Sequence, residues 1–286
     1  MSGEKWFIEH FESEGTAFGL RLNRKLEAKR TKYQHIEIWE TETFGYLMTI
    51  DGCTMVTSRD NFLYHEMMAH PALFTHERPA NVVIIGGGDC GTLREVLRHP
   101  EVEKAWQIDI DEMVTKLAHK YFPELCEAND DPRAELLFSD GVEWMHEREA
   151  GSIDVIIVDS TDPTGPAEGL FTAEFFADCR RVLRDGGVLV QQSESPLLHG
   201  ETIIRSMHRN MKEAGFDTTQ TLHFPVPVYP SGWWSCTMAG KSAEVNRFRE
   251  DDAGKRPFHT RYYTADMHQA AMQLPPFLEE AITAGE

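Results

Sequence analysis

The chain has 286 residues, 26% of them charged and 41% apolar, proportions of a folded globular protein that exclude extended disorder. Asp and Glu total 47 against 28 Lys and Arg, and the resulting formal charge of −19 repels a phosphate backbone, which argues against nucleic acid as a partner. The same field attracts polycations, although a solvated acidic surface explains it equally well.

The five cysteines, Cys53, Cys90, Cys126, Cys179 and Cys236, are odd in number and scattered, with no C-x-x-C spacing for zinc or a redox pair. Reduced thiols in the cytoplasm are expected. The N-terminal MSGEKWFIEHFESEG has no unbroken apolar run of signal-peptide or membrane length, so no membrane association is expected either.

Up to about Phe74 the pattern is strand-like: YQHIEIWE partly alternates, Phe44 to Ile50 is a short run, and Asp51-Gly52 is a favoured hairpin dipeptide. RDNFLYHEMMAHPALF is rich in helix formers, with Asp60 as a capping residue and Pro71 expected to bend or end the helix. Residues 1–75 are therefore expected to form a small antiparallel β domain with a bridging helix. From Asn81 the rhythm changes to short apolar runs alternating with helical stretches, as in a doubly wound parallel α/β sheet over 76–286. The expected strands are NVVIIG, KAWQID, AELLFS, IDVIIVD and GVLVQQ. The expected helices are Gly91–Arg98, Glu112–Tyr121, Val142–Glu149 and Thr172–Arg184. ETIIRSMHRNMKEAGF reads as a further helix, followed by two strands around Leu222–Val228 and Trp233–Ala239.

The first of these strands runs into Gly86-Gly87-Gly88-Asp89-Cys90-Gly91, a turn that lets backbone approach a ligand closely. Asp109 follows Gly88 by 21 residues at the end of QID, where a carboxylate accepts hydrogen bonds from ribose hydroxyls. That pairing favours an adenosine ligand. The next strands end at Ser139-Asp140-Gly141 and Asp159-Ser160-Thr161-Asp162, so four successive strand termini each present a carboxylate at the edge where open α/β sheets bind ligands. Each aspartate alone could be a helix N-cap, a reading as good as the functional one for Asp140. Together they repel one another strongly, which predicts a positively charged ligand among them.

GGGDCGTLREVLRH, DSTDPTGPAEGLFT, YHEMMAH, DGCTMVTSRDNFLYHE and VPVYPSGWWS, in this order of kind rather than position, resemble segments of the spermidine synthases, polyamine aminopropyltransferases, from about Trp6 to about Phe277. The resemblance implies an N-terminal β domain joined to a Rossmann-like, methyltransferase-type sheet, usually in a homodimer or homotetramer, with no metal and no cofactor beyond decarboxylated S-adenosylmethionine as cosubstrate. It implies that Gln34, Asp109, Asp140 and Gly141 hold the adenosine or methylthioadenosine part, with Pro166 beside the adenine. Asp89 and His65 face the aminopropyl or polyamine chain. Asp159 is the implied proton acceptor and Asp162 binds the amine; Tyr64, Gln192 and Tyr229 line the diamine pocket, and Thr161–Phe171 is its gatekeeping loop. Two positions depart from the family pattern: Asp109 stands where Glu is common, and Cys90 where Gly is usual.

His65-Glu66 with His70 misses the H-E-x-x-H zinc spacing by one residue, so the two histidines do not share a helical face. Trp233 and Trp234 are better explained by packing than by a site. Glu194 is either close to the pocket or a solvated or capping carboxylate. The same sheet and ribose-binding acid would serve an S-adenosylmethionine methyltransferase, against which Asp89 speaks, or a non-catalytic polyamine-binding protein.

Overall fold

A computed structural model describes residues 5–161 and 165–284, with backbone alone at 165 and 166. Strands β1 (Lys5–Phe11), β2 (Thr16–Arg30), β3 (His35–Thr41), β4 (Tyr46–Ile50) and β5 (Cys53–Thr57) form an antiparallel meander in chain order. Asp51 and Gly52 both take positive φ, 49° and 89°, and Ile50 pairs with Cys53, so the expected two-residue hairpin closes β4 onto β5. In β3, Ile36 and Ile38 point inward and are fully buried against Val114, Leu117 and Phe122.

Helix α1 (Asn61–Thr75) follows, packed on the second sheet. Two expectations fail here. Pro71 does not end α1, which runs on to Thr75. The carbonyl of Met67, deprived by Pro71 of its helical donor, faces the Cys236 thiol at 3.7 Å, and the proline is buried in a helix held by packing on nearly every side. Asp60 occupies the N-cap position without capping, because its Oδ1 accepts from the Thr57 hydroxyl at 2.5 Å.

The second sheet has seven strands in the order β11-β12-β10-β9-β6-β7-β8. These are β6 (Asn81–Gly86), β7 (Lys104–Asp109), β8 (Ala134–Phe138), β9 (Ile153–Asp159), β10 (Leu183–Gln192), β11 (Thr218–Pro225) and β12 (Trp233–Gly240). β6 to β10 are parallel, and β11 and β12 join antiparallel at one edge. The chain winds from β6 outward to β8, then returns to β9 on the other side of β6. The topological switch point therefore lies between the ends of β6 and β9, where open sheets of this kind bind ligands. Both strands are near-continuous runs of buried Val and Ile, as strands covered on both faces must be.

The helices after the strands are α2 (Gly91–Leu97), α3 (Glu112–Tyr121), α4 (Gly141–Glu147) and α5 (Ala173–Val182), close to expectation. The strand after α5 begins earlier than expected, at Leu183, with a register shift before Val188. Where one helix was expected after Gly200, α6 (Pro196–His199) passes through a π-helical turn at Gly200–Ile204 into α7 (Arg205–Glu213). β11 starts at Thr218, ahead of the apolar run, because Thr218, Thr219 and Gln220 pair with β12. The short helices α8 (Glu250–Gly254), α9 (Ala265–Ala271) and α10 (Pro276–Thr283) complete the chain. The two sheets share one apolar cluster: Phe7, Leu20 and Leu47 of the first pack with Met67, Phe224 and Trp234.

Candidate active site

A cavity of about 350 Å³ opens between the first sheet and the carboxyl ends of β6, β7 and β9. Its floor is the glycine turn after β6. Gly86 has φ +84°, and a Cβ there would lie 2.1 Å from the Asp159 carbonyl oxygen, which accepts from the Gly87 N–H at 2.8 Å. Only glycine lets the ends of β6 and β9 close this tightly. At Gly91 a Cβ would meet the His65 ring at 2.2 Å, so the absence of a side chain there is what lets the imidazole reach Asp89.

Asp159 ends β9, the central strand. Its Oδ1 accepts from the Tyr64 hydroxyl at 2.7 Å and its Oδ2 from the Thr92 hydroxyl at 2.6 Å. Burial pushes its carboxyl above the ordinary range, and the Asp89 charge adds to the rise. Asp89 accepts from the Gly91 N–H at 2.8 Å and lies 3.1 Å from His65 Nε2. Burial opposes charge on both partners, but their mutual attraction wins, lowering the Asp89 carboxyl and raising the His65 imidazole. The pairing thus favours the charged form of each partner. His65 Nδ1 is buried with no hydrogen-bond partner among the described residues.

Asp109, at the end of β7, is pushed up to about 6, chiefly by burial and further by the charge of Asp111, against the hydrogen bond its Oδ1 accepts from the Asp111 N–H at 2.8 Å. Asp111 caps α3 through Met113 N–H and takes the Gln34 side-chain amide at 3.1 Å and the Thr31 hydroxyl at 2.7 Å on Oδ2. Gln34 therefore enters the cavity wall from the first sheet while tied to the second. Asp140 is the N-cap of α4, accepting from Val142 and Glu143 N–H at 2.8 and 3.2 Å, and it also lines the cavity with Gly141. The cap and site readings coexist.

The repulsion expected among the four carboxylates is relieved largely from within the protein: Asp89 by His65, Asp140 by the start of α4, and Asp109 by a proton near pH 6. Tyr229 lines the cavity, its hydroxyl donating to the Met55 carbonyl at 2.5 Å and its ring 5.7 Å from that of Tyr64. Gln192 is buried beside the cavity rather than in its wall; its amide donates to Glu194 Oε1 at 3.2 Å and faces the Thr161 carbonyl at 3.4 Å. Glu194 is neither solvated nor a cap: it is 2% exposed, with φ +66°. Trp234 packs against Tyr229 with ring centres 4.7 Å apart, as the packing reading required. Asp162 lies outside the described residues, as does the side chain of Pro166. Of the gatekeeping segment, Thr161, Ala167 and Leu170 line the cavity.

Sequence reasoning missed Thr92, Thr31 and Asp111. Asp111, the second acid of QIDID, was visible as a potential cap; Thr92 carried no signal beyond being a hydroxyl on a helix next to the glycine turn.

Residues 61–249 match the family model of the spermine/spermidine synthase domain, and residues 5–58 that of the spermidine synthase tetramerisation domain. The chain belongs to the spermidine synthase family. It is 62% identical over 279 residues to a polyamine aminopropyltransferase of Methylococcus capsulatus, covering 98% of this chain and 97% of that one. A polyamine aminopropyltransferase of Halorhodospira halophila is 56% identical over 276 residues, 96% of this chain and 99% of its own. A solved spermidine synthase in complex with the transition-state analogue AdoDATO superposes with a TM-score of 0.93 at 35% identity, over 98% of this chain and 95% of that one. The spermidine synthase of Thermotoga maritima gives 0.92 at 35% identity, over 98% and 94%. The fold of this family, an antiparallel β sheet before a Rossmann-like methyltransferase-type sheet, is the fold described above. Among the described residues no helix is long and apolar enough to cross a membrane, and no group of three or more His, Cys, Asp or Glu is placed to hold a metal ion.

Proposed function

We propose that this chain transfers the aminopropyl group of decarboxylated S-adenosylmethionine to putrescine or a similar small amine, giving spermidine and methylthioadenosine. The amine nitrogen attacks the methylene next to the sulfonium, the carbon–sulfur bond breaks, and its electron pair returns to sulfur as neutral thioether. The observation that carries this reading is the half-buried Asp159 carboxylate, oriented by two hydroxyls and set beside Asp89 at the switch point. A free alkylammonium near pKa 10.4 and an ordinary Asp near 3.9 differ by roughly 9 kcal/mol in proton affinity. Burial narrows that gap from the Asp159 side, and the cationic cosubstrate narrows it from the amine side.

In this reading Asp159 takes the proton, Tyr64, Tyr229 and Asp162 hold the amine, and Gln192 supports the pocket from behind its wall. Asp89 and His65 hold the aminopropyl ammonium. Gln34, Asp109, Asp140, Gly141 and Pro166 hold the nucleoside. Residues 1–75 form the β domain with its bridging helix and 76–286 the catalytic domain, in a homodimer or homotetramer in the cytoplasm. A cytoplasmic setting is supported by five cysteines, none of them in a disulfide. Incubation with decarboxylated S-adenosylmethionine and a panel of amines, followed by mass spectrometry, tests the reaction. Spermidine with stoichiometric methylthioadenosine is expected; methylated products from S-adenosylmethionine instead would replace this reading with a methyltransferase.

Asp109 gives the nucleoside site a pH dependence of its own. The ionised carboxylate accepts ribose hydrogen bonds on both oxygens, protonation turns one oxygen into a donor and weakens the other as acceptor, and the carboxyl is pushed up to about 6. Methylthioadenosine affinity should therefore hold above pH 7 and weaken as pH falls through 6, by about tenfold per unit once Asp109 is mostly protonated. Calorimetric titration between pH 5 and 8 measures it, with Asp109→Asn, already neutral, expected to bind weakly at every pH.

A further inference from the structure

Thr92 is the second residue of α2 and is fully buried. A threonine in a helix commonly gives its hydroxyl proton to the carbonyl four residues back. Here that carbonyl belongs to Gly88 and already accepts from the Thr115 hydroxyl at 2.8 Å and faces the Cys90 thiol at 3.6 Å. Thr92 Oγ1 lies instead 2.6 Å from Asp159 Oδ2, while Tyr64 of α1 takes Oδ1. Each carboxylate oxygen of Asp159 thus has its own hydroxyl donor, supplied by a different helix.

We propose that Thr92 is a positioning residue for aminopropyl transfer, its hydroxyl locking the plane of the Asp159 carboxylate so that a fixed lone pair faces the amine. This rests on the reading of Asp159 as proton acceptor. The terminal torsion of an aspartate is broad, so one donor on one oxygen leaves the group free to rock about that contact. Two donors on opposite oxygens fix it. The second donor also stabilises the anion, opposing the burial and the Asp89 charge that favour the protonated form. Among the described residues the titratable groups facing Asp159 are Asp89 after β6, His65 and Tyr64 on α1, and Asp109 at the end of β7, and all are untouched by a change at residue 92.

Valine keeps the shape of threonine without its hydroxyl, and serine keeps the hydroxyl without the methyl. Loss of the donor raises the Asp159 pKa, so activity on the acid side should disappear at higher pH. In Thr92→Val the acid limb of the kcat/KM profile should move up by about one pH unit, with kcat on the plateau reduced about tenfold. KM for the cosubstrate should stay within about twofold, and Thr92→Ser should return the limb to its original place. Thr92→Ala carries the same comparison where valine is not accommodated. In an Asp159→Asn background Thr92→Val should have no further effect on turnover, because the group through which Thr92 acts is gone. An unmoved acid limb in the valine and alanine variants, with Asp159→Asn inactive, overturns the role of Thr92 and leaves that of Asp159 standing. Near-normal turnover in Asp159→Asn itself overturns both.

Discussion

Asp159→Asn lowers turnover by about a hundredfold or more while leaving methylthioadenosine binding intact and making the protein harder to unfold at pH 7. The first effect follows from removing the carboxylate that ends the central strand and lies against both the Tyr64 and Thr92 hydroxyls. Folding survives because asparagine keeps Oδ1 as an acceptor for Tyr64, and the Thr92 hydroxyl rotates to accept from the new amide. The gain in stability follows from the sign of the shift. Asp159 has its carboxyl raised in the folded state, so folding takes up protons at mildly acidic pH, and the folded state is penalised as pH rises above the unfolded value near 3.9. The penalty is complete once pH exceeds the raised folded value, and a neutral side chain does not incur it. Steady-state kinetics with product detection and thermal denaturation at pH 5 and pH 7 measure both halves. Near-normal turnover, or a lower melting temperature at pH 7, would count against the assignment.

Asp89→Asn is expected to reverse a preference rather than abolish binding. S-adenosylmethionine carries a carboxylate that decarboxylated S-adenosylmethionine lacks, and Asp89 at the glycine turn repels that carboxylate while attracting the ammonium that both possess. At about 4 Å and an effective dielectric near 20 a unit pair is worth roughly 4 kcal/mol. His65 takes part of this, since its ring already faces Asp89 at 3.1 Å. A preference of about tenfold to a hundredfold for the decarboxylated nucleoside should remain. In the asparagine variant His65 loses the partner that most favours its charged form, while its burial still opposes that form. Decarboxylated S-adenosylmethionine should weaken strongly, and S-adenosylmethionine should be unchanged or slightly tighter. Calorimetric titration of both nucleosides into both proteins decides it; an equal loss for the two would sink the charge argument.

The parallel half of the fold was legible because β6 and β9 are runs of Val and Ile bounded by turn residues, and because each strand end carries an acid. The glycine turn and the acids after it depend on local geometry alone, so they could be read in sequence. Thr92 could not. It meets Asp159, 67 residues away, only because β6 and β9 are neighbours with Gly86 opposite Asp159, and adjacency of strands is a property of the whole sheet. Gln34 was found through its family position, yet its partner Asp111 was not, since that contact joins the two sheets. The helices α8, α9 and α10 escaped notice because segments of five to eight residues offer too few turns for a 3.6-residue period to show, and no flanking strands bracket them as they bracket the equally short α2 and α4. Pro71 misled for a related reason: its local preference was real, but burial of α1 outweighed it.

β9 is paired on both sides along its length, by β6 and β10, and Val155 to Val158 are without solvent exposure. Its amides should be among the slowest in the molecule to exchange with deuterium, opening only when the whole sheet opens. The carboxylate proposed as proton acceptor is therefore mounted on a segment paired and covered on every side. Heating should leave the Asp159 end of β9 in register until the cooperative transition, so that irreversible loss of activity keeps pace with global unfolding instead of preceding it.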